Sequence, residues 1–85
     1  MGYSRAQIQL DTTKAVTEFV TTLNSDGSID KYVIEDFDGV HRVDARSFLG
    51  VLYASAEFGG NLFLVNKTND GHYPWVINKF RPLGA

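Results

Sequence analysis

Ala6-Gln7-Ile8-Gln9-Leu10 alternates small or apolar side chains with polar ones, the period-2 pattern of a strand with one buried face. Asp11 and Thr12 follow, and either side chain can accept from the free backbone N–H groups of a helix start. Val16, Phe19, Val20 and Leu23 fall at i, i+3, i+4 and i+7, which predicts a helix with a single apolar stripe. Asn24-Ser25-Asp26-Gly27 carries the turn chemistry that ends it. Ser28 to Phe37 is rich in Ile, Tyr, Val and Phe, which suit a pleated surface. Asp38-Gly39 supplies the left-handed backbone of a tight hairpin, and Val40-His41-Arg42-Val43 is expected to return as the paired strand.

Asp44-Ala45-Arg46-Ser47 is a second helix-start signal. Phe48, Leu49, Leu52, Tyr53 and Ala56 are expected to form the apolar face of that helix, with Gly59-Gly60 as its stop. Leu62-Phe63-Leu64-Val65 predicts a short buried strand, and Asn69-Asp70-Gly71 turns the chain. Pro74 suits the first turn of a short final helix, with Trp75, Val76, Ile77 and Phe80 toward the core and Pro82 at its close. The order strand-helix-strand-strand-helix-strand-helix predicts an α+β fold over residues 1–85, an antiparallel or mixed sheet with helices on one face.

Composition narrows the functional classes. A chain of 85 residues has room for one core, and its 44% apolar share is ordinary for a globular protein. There is no cysteine, so disulfides and thiolate metal sites are excluded, which fits a cytoplasmic location. The formal net charge is -2, and no basic patch points to nucleic acid. Aromatics make up 13% of the chain and alternate with aliphatics, so core packing explains them better than base stacking. No segment is long and apolar enough for membrane insertion. Met1-Gly2-Tyr3-Ser4-Arg5-Ala6 lacks an apolar run of the signal-peptide kind, and Ala6 breaks a myristoylation pattern. The sequon Asn66-Lys67-Thr68 is accordingly expected to carry no glycan.

Two segments bring a family into view. Val43-Asp44-Ala45-Arg46-Ser47-Phe48-Leu49-Gly50-Val51-Leu52 has a small residue, a basic residue, Ser and an apolar run with an early Gly; Glu18-Phe19-Val20 lies in the body of the first helix. With the element order, these resemble HPr, the histidine-containing phosphocarrier protein of the bacterial sugar phosphotransferase system, over roughly Ala6 to Phe80. The resemblance implies an open-faced sandwich of four strands with helices on one side. In that family the phosphoacceptor histidine opens the first helix and is followed by Thr, Arg and Pro. Aligned on Phe19, this chain has Thr12, Thr13, Lys14 and Ala15 there, while its histidines are His41 and His72. The basic residue persists in kind; the nucleophile and the proline do not.

That substitution changes the chemistry. An imidazole is nucleophilic near neutral pH and leaves readily once protonated, whereas a threonine phosphate is a stable ester. Thr12, Thr13 and Lys14 therefore form a degenerate phosphoacceptor site. It is weighed as a residual anion site against plain capping by Asp11 or Thr12.

The expectation is a protein that is not an enzyme, needs no cofactor or metal, and binds a phosphotransferase-system component or a transcription regulator as a monomer or weak dimer. The resemblance makes Ser47 a candidate for regulatory phosphorylation in carbon catabolite control, against the plainer reading of a helix cap. It also makes Arg46, Ser47, Phe48 and Val51 candidates for partner docking. A further alternative is a small ligand-binding domain on the same scaffold, which needs a pocket with converging polar groups.

The remaining candidates have plainer readings. His41 reads as a solvated strand residue and His72 as a turn residue; Asp26, Asp30, Glu35, Asp36 and Asp38 read as a solvated face. Trp75 with Tyr73 is expected to plug one end of the core.

Overall fold

The computed structural model describes residues 5–27, 30–59, 61–69 and 72–82, and of Trp75 and Val76 the backbone alone. The elements are β1 (Ala6–Gln9), α1 (Thr13–Ser25), β2 (Tyr32–Glu35), β3 (Arg42–Asp44), α2 (Phe48–Glu57), β4 (Asn61–Asn66) and a closing 3₁₀ helix (Trp75–Phe80). The four strands form one antiparallel sheet in the order β1-β4-β2-β3. The protein is thus a small α+β fold with an open sheet. Alternation along the strands sorts their side chains. Ala6, Ile8, Tyr32, Ile34, Leu62 and Leu64 join Val16, Phe19, Val20 and Leu23 of α1 and Val51 and Ala54 of α2 in one buried cluster. The α1 stripe is the one the i, i+3, i+4, i+7 spacing predicts.

Apart from Val43, which packs against it, the other strand positions lie outside that cluster, and here a charge is buried. Glu35 is fully enclosed, with Arg5 at 3.6 Å and its cross-strand neighbour Arg42 at 3.4 Å. The Arg5 guanidinium also lies 4.1 Å from the centre of the Phe63 ring. The reading of Glu35 as part of a solvated face is therefore corrected. Its place in a run of apolar strand residues sets its depth, and the two arginines compensate its charge.

The elements differ from expectation in three places. The strands predicted over Ser28 to Phe37 and Val40 to Val43 are shorter, because the Asp36 side chain takes over the pairing at the turn. Its Oδ1 accepts from the Val40 amide at 3.0 Å and the His41 amide at 3.4 Å. Ser28 itself lies outside the described residues, as do Gly60 of the helix stop and Asp70-Gly71 of the later turn. The turn falls over Asp36–Gly39, where the Gly39 amide donates to the Asp36 carbonyl; Gly39 is left-handed at φ 74 but Asp38 is not, so the expected left-handed pair is met at Gly39 alone.

The second difference concerns the face of α2. Val51 and Ala54 are its buried residues, while Leu49 and Tyr53 are 74% and 58% exposed. Leu52 is half-buried and Ala56 exposed. Phe48-Leu49-Gly50-Val51-Leu52-Tyr53-Ala54-Ser55-Ala56-Glu57 is apolar nearly all round, so periodicity alone does not choose the inner side.

Third, the last helix is 3₁₀, held by Ile77 and Phe80, with the Phe80 ring edge-on to Phe19 at 5.4 Å. Tyr73 stacks against Tyr32 at 6.5 Å between ring centres, whereas the expected role of the Trp75 side chain falls outside the described residues. Asn66, also buried, organises the approach to that helix. It donates to Asp30 and the His72 carbonyl and accepts from the Thr68 and Asn69 amides.

Candidate functional site

The start of α1 is where the resemblance would put a phosphoacceptor. Thr12 is the N-cap there: its Oγ1 accepts from the Ala15 amide at 3.0 Å. Asp11 is not the cap; its Oδ2 accepts from Gln9 Nε2 at 2.9 Å. Around them lies an open depression of about 360 Å³, lined by Leu10, Asp11, Thr12 and Thr13 on one side and Leu52, Ser55, Ala56 and Gly59 on the other. Thr12 and Thr13 are thus brought together against α2, with Ser55 as a polar neighbour missed in the sequence. The Ser55 hydroxyl donates to the Leu52 carbonyl at 2.9 Å.

The electrostatics of this depression work against an anion. The helix start contributes about half a positive charge, yet among the described residues the one charged side chain in the lining is the carboxylate of Asp11. Lys14, expected to reinforce the site, stands outside the lining, and its field falls on Glu18 one turn along the helix. Glu18 is held below the ordinary glutamate range first by its hydrogen bond and charge interaction with Lys79 and less by Lys14, with burial opposing. On the other side of Asp11, Lys79 and Arg81 border a second open depression; Lys79 already bonds Glu18 at 2.8 Å and Arg81 bonds Asn78 at 3.2 Å. Neither His41 nor His72 lines either depression.

The second candidate is the start of α2. Ser47 caps it, accepting from the Gly50 amide at 3.2 Å, and is half-buried. Phe48 is 38% exposed beside it. Two of the docking candidates are corrected. Val51 is fully buried in the core cluster and offers no surface. Arg46 turns inward: its guanidinium donates to the Leu23 carbonyl and, at 3.0 Å, to that of Asp30, and lies 5.2 Å from the Tyr32 ring centre. It closes the last turn of α1, whose carbonyls lack helical partners.

The hairpin contributes a group that the sequence reading dispersed. Asp36, Phe37, Asp38 and His41 face Tyr53, Glu57 and Phe58 of the α2 end across a depression of about 320 Å³. His41 Nδ1 lies 2.8 Å from Asp36 Oδ2. That hydrogen bond is the main reason the Asp36 carboxyl is held below its ordinary range; burial opposes it, and the His41, Val40 and Gly39 amides support it. The signal in the sequence was the run Asp36-Phe37-Asp38-Gly39-Val40-His41, where a turn brings carboxylates and an imidazole onto one loop.

Among the described residues, no group of three or more His, Asp or Glu side chains is placed to hold a metal ion, and no helix is long and apolar enough to cross a membrane. No family model, curated protein or solved structure is significantly matched by this chain.

Proposed function

We propose that the protein is an HPr-like module that binds other proteins and does not relay phosphoryl groups. One observation carries the reading: at the start of α1, where the resemblance puts the reactive imidazole, Thr12 uses its hydroxyl oxygen to cap the helix. A hydroxyl in that place makes, at most, an ester that does not pass its phosphate on. The Asp11 carboxylate in the same lining further disfavours an incoming phosphate. The element order and the four-stranded antiparallel sheet support the resemblance. Sugar uptake or carbon metabolism in a bacterial cytoplasm is the setting that the resemblance suggests. Incubation with phosphoenolpyruvate and the general phosphotransferase enzyme tests this reading. The protein is expected to stay unmodified, and an acid-labile phosphoryl adduct overturns the proposal.

Ser47 supports a second reading, a module switched by phosphorylation. Its hydroxyl opens α2 beside the free N–H groups of that helix, where a phosphate is electrostatically favoured, and Phe48 and Leu49 are exposed next to it. Mass spectrometry after treatment with the matching serine kinase distinguishes the two readings. A modified Ser47 that changes partner binding favours the switch; an unmodified Ser47 excludes it.

A further inference from the structure

The described residues expose five large hydrophobic side chains, Phe37, Val40, Phe48, Leu49 and Tyr53, and all five belong to the hairpin loop or α2. Phe37 is 78% exposed and Val40 72%, a large cost for a loop that has polar residues on either side of it. Phe37 and Tyr53 do not stand alone. With Phe58 they wall the depression between the hairpin and the end of α2, where Tyr53 and Phe58 meet edge to face at 6.4 Å between ring centres.

The charges in that wall have one sign. Asp36, Asp38 and Glu57 line it, and among the described residues no Lys or Arg does. The Arg5 guanidinium points at the Asp36 and Phe37 carbonyls from the side of Glu35 and Phe63. His41 contributes an imidazole already bonded to Asp36. Aromatic faces and carboxylates both favour a cation, and concave walls concentrate the field.

We infer that this surface is a docking site for a protein segment in which Lys or Arg side chains flank an apolar anchor. The apolar side chain packs on Phe37, Tyr53 and Phe58, and the cations reach Asp38 and Glu57. A second copy of the chain fits poorly. A symmetric dimer across this depression would bring each copy's Asp36, Asp38 and Glu57 toward those of the other. The inference rests on the protein-binding half of the proposed function, not on the resemblance to a phosphocarrier. The phosphoenolpyruvate assay leaves it standing either way.

The test is an NMR titration of the ¹⁵N-labelled protein with a short peptide of alternating Lys and Leu, alongside a Glu/Leu peptide and a Lys/Ser peptide of equal length. The Lys/Leu peptide is expected to shift amides of Phe37–His41 and Tyr53–Phe58, and the two controls are not. Asp38→Asn with Glu57→Gln, both exposed positions, should weaken binding about five-fold and flatten its salt dependence. Phe37→Ser should weaken binding and leave the salt dependence in place. Shifts centred elsewhere, equal binding of the Glu/Leu peptide, or variants that bind like the parent overturn the inference. So does a concentration-dependent dimer in sedimentation that buries the same amides. None of these failures touches the reading of the α1 site.

Discussion

Thr12, Arg46 and Glu35 do their work one side chain at a time, and each can be probed that way. Thr12→Ala removes the oxygen that holds the Ala15 amide and should cost about 1 kcal/mol in urea denaturation, with Thr12→Ser close to the parent. Arg46→Ala leaves the Leu23 and Asp30 carbonyls without their charged donor and should cost about 2 kcal/mol. Arg46→Lys should recover little, because an ammonium lacks the planar fork that reaches two carbonyls at once. For Glu35 the order of effects is informative. Its arginines are partly open to water, 30% for Arg5 and 51% for Arg42, whereas the carboxylate is enclosed. Arg5→Ala with Arg42→Ala should therefore cost about 3 kcal/mol, more than Glu35→Gln, since only the first change strips two arginines from a buried charge. Sequence gave notice of the Thr12 cap, which is a local signal read from neighbours in the chain. It gave none of the Arg46 and Glu35 partnerships, because Arg46 reaches Leu23, and Arg5 reaches Glu35, only after distant segments have folded together.

At the scale of elements, α1 and α2 show when a pattern is decisive. Between its buried positions α1 carries Thr17, Glu18 and Thr21, so polar residues mark the outer side and the buried stripe is unambiguous. On α2 only Glu57 is charged, and the inner face is chosen by packing against α1, β3 and β4. The same gap explains why Val51 read as a docking residue when it is core. The hairpin shows a further limit: a side chain, that of Asp36, replaces strand pairing, which a count of β-favouring residues does not register.

The closing 3₁₀ helix is fastened to α1 by Phe80 against Phe19 and by Lys79 on Glu18. Phe80→Ala should cost about 3 kcal/mol through the cavity it leaves. The Lys79 contribution should depend on pH. Glu18 has a folded-state pKa below its ordinary value of 4.5. Its pair with Lys79 therefore stabilises the fold fully above that value and loses this effect as pH falls through the lowered folded value. The stability difference between the parent and Lys79→Ala, from urea denaturation at a series of pH values, should be constant near neutrality and close in acid.

For the molecule as a whole, sheet order ranks local stability. The inner strands β4 and β2 are bonded on both sides, while β3 is a three-residue edge. Amide exchange should be slowest across Leu62–Val65 and much faster at Arg42–Asp44. On this scaffold polar side chains gather in two depressions against the second half of α2, one near Thr12 and one near His41, and of the two only the one near His41 combines carboxylates with exposed aromatic rings. The coarse α+β class was visible in the chain because alternation and stripes are local. The grouping of the hairpin with the end of α2 was not, since it depends on how β2, β3 and α2 pack.

On the proposed reading, no described side chain takes up phosphate in a form it can pass on. ³¹P NMR of the protein after exposure to phosphoenolpyruvate and the general phosphotransferase enzyme, with a competent phosphocarrier as control, tests it most directly. A phosphoramidate signal is expected from the control alone. An acid-labile phosphoramidate on His41 or His72 of this chain would contradict it.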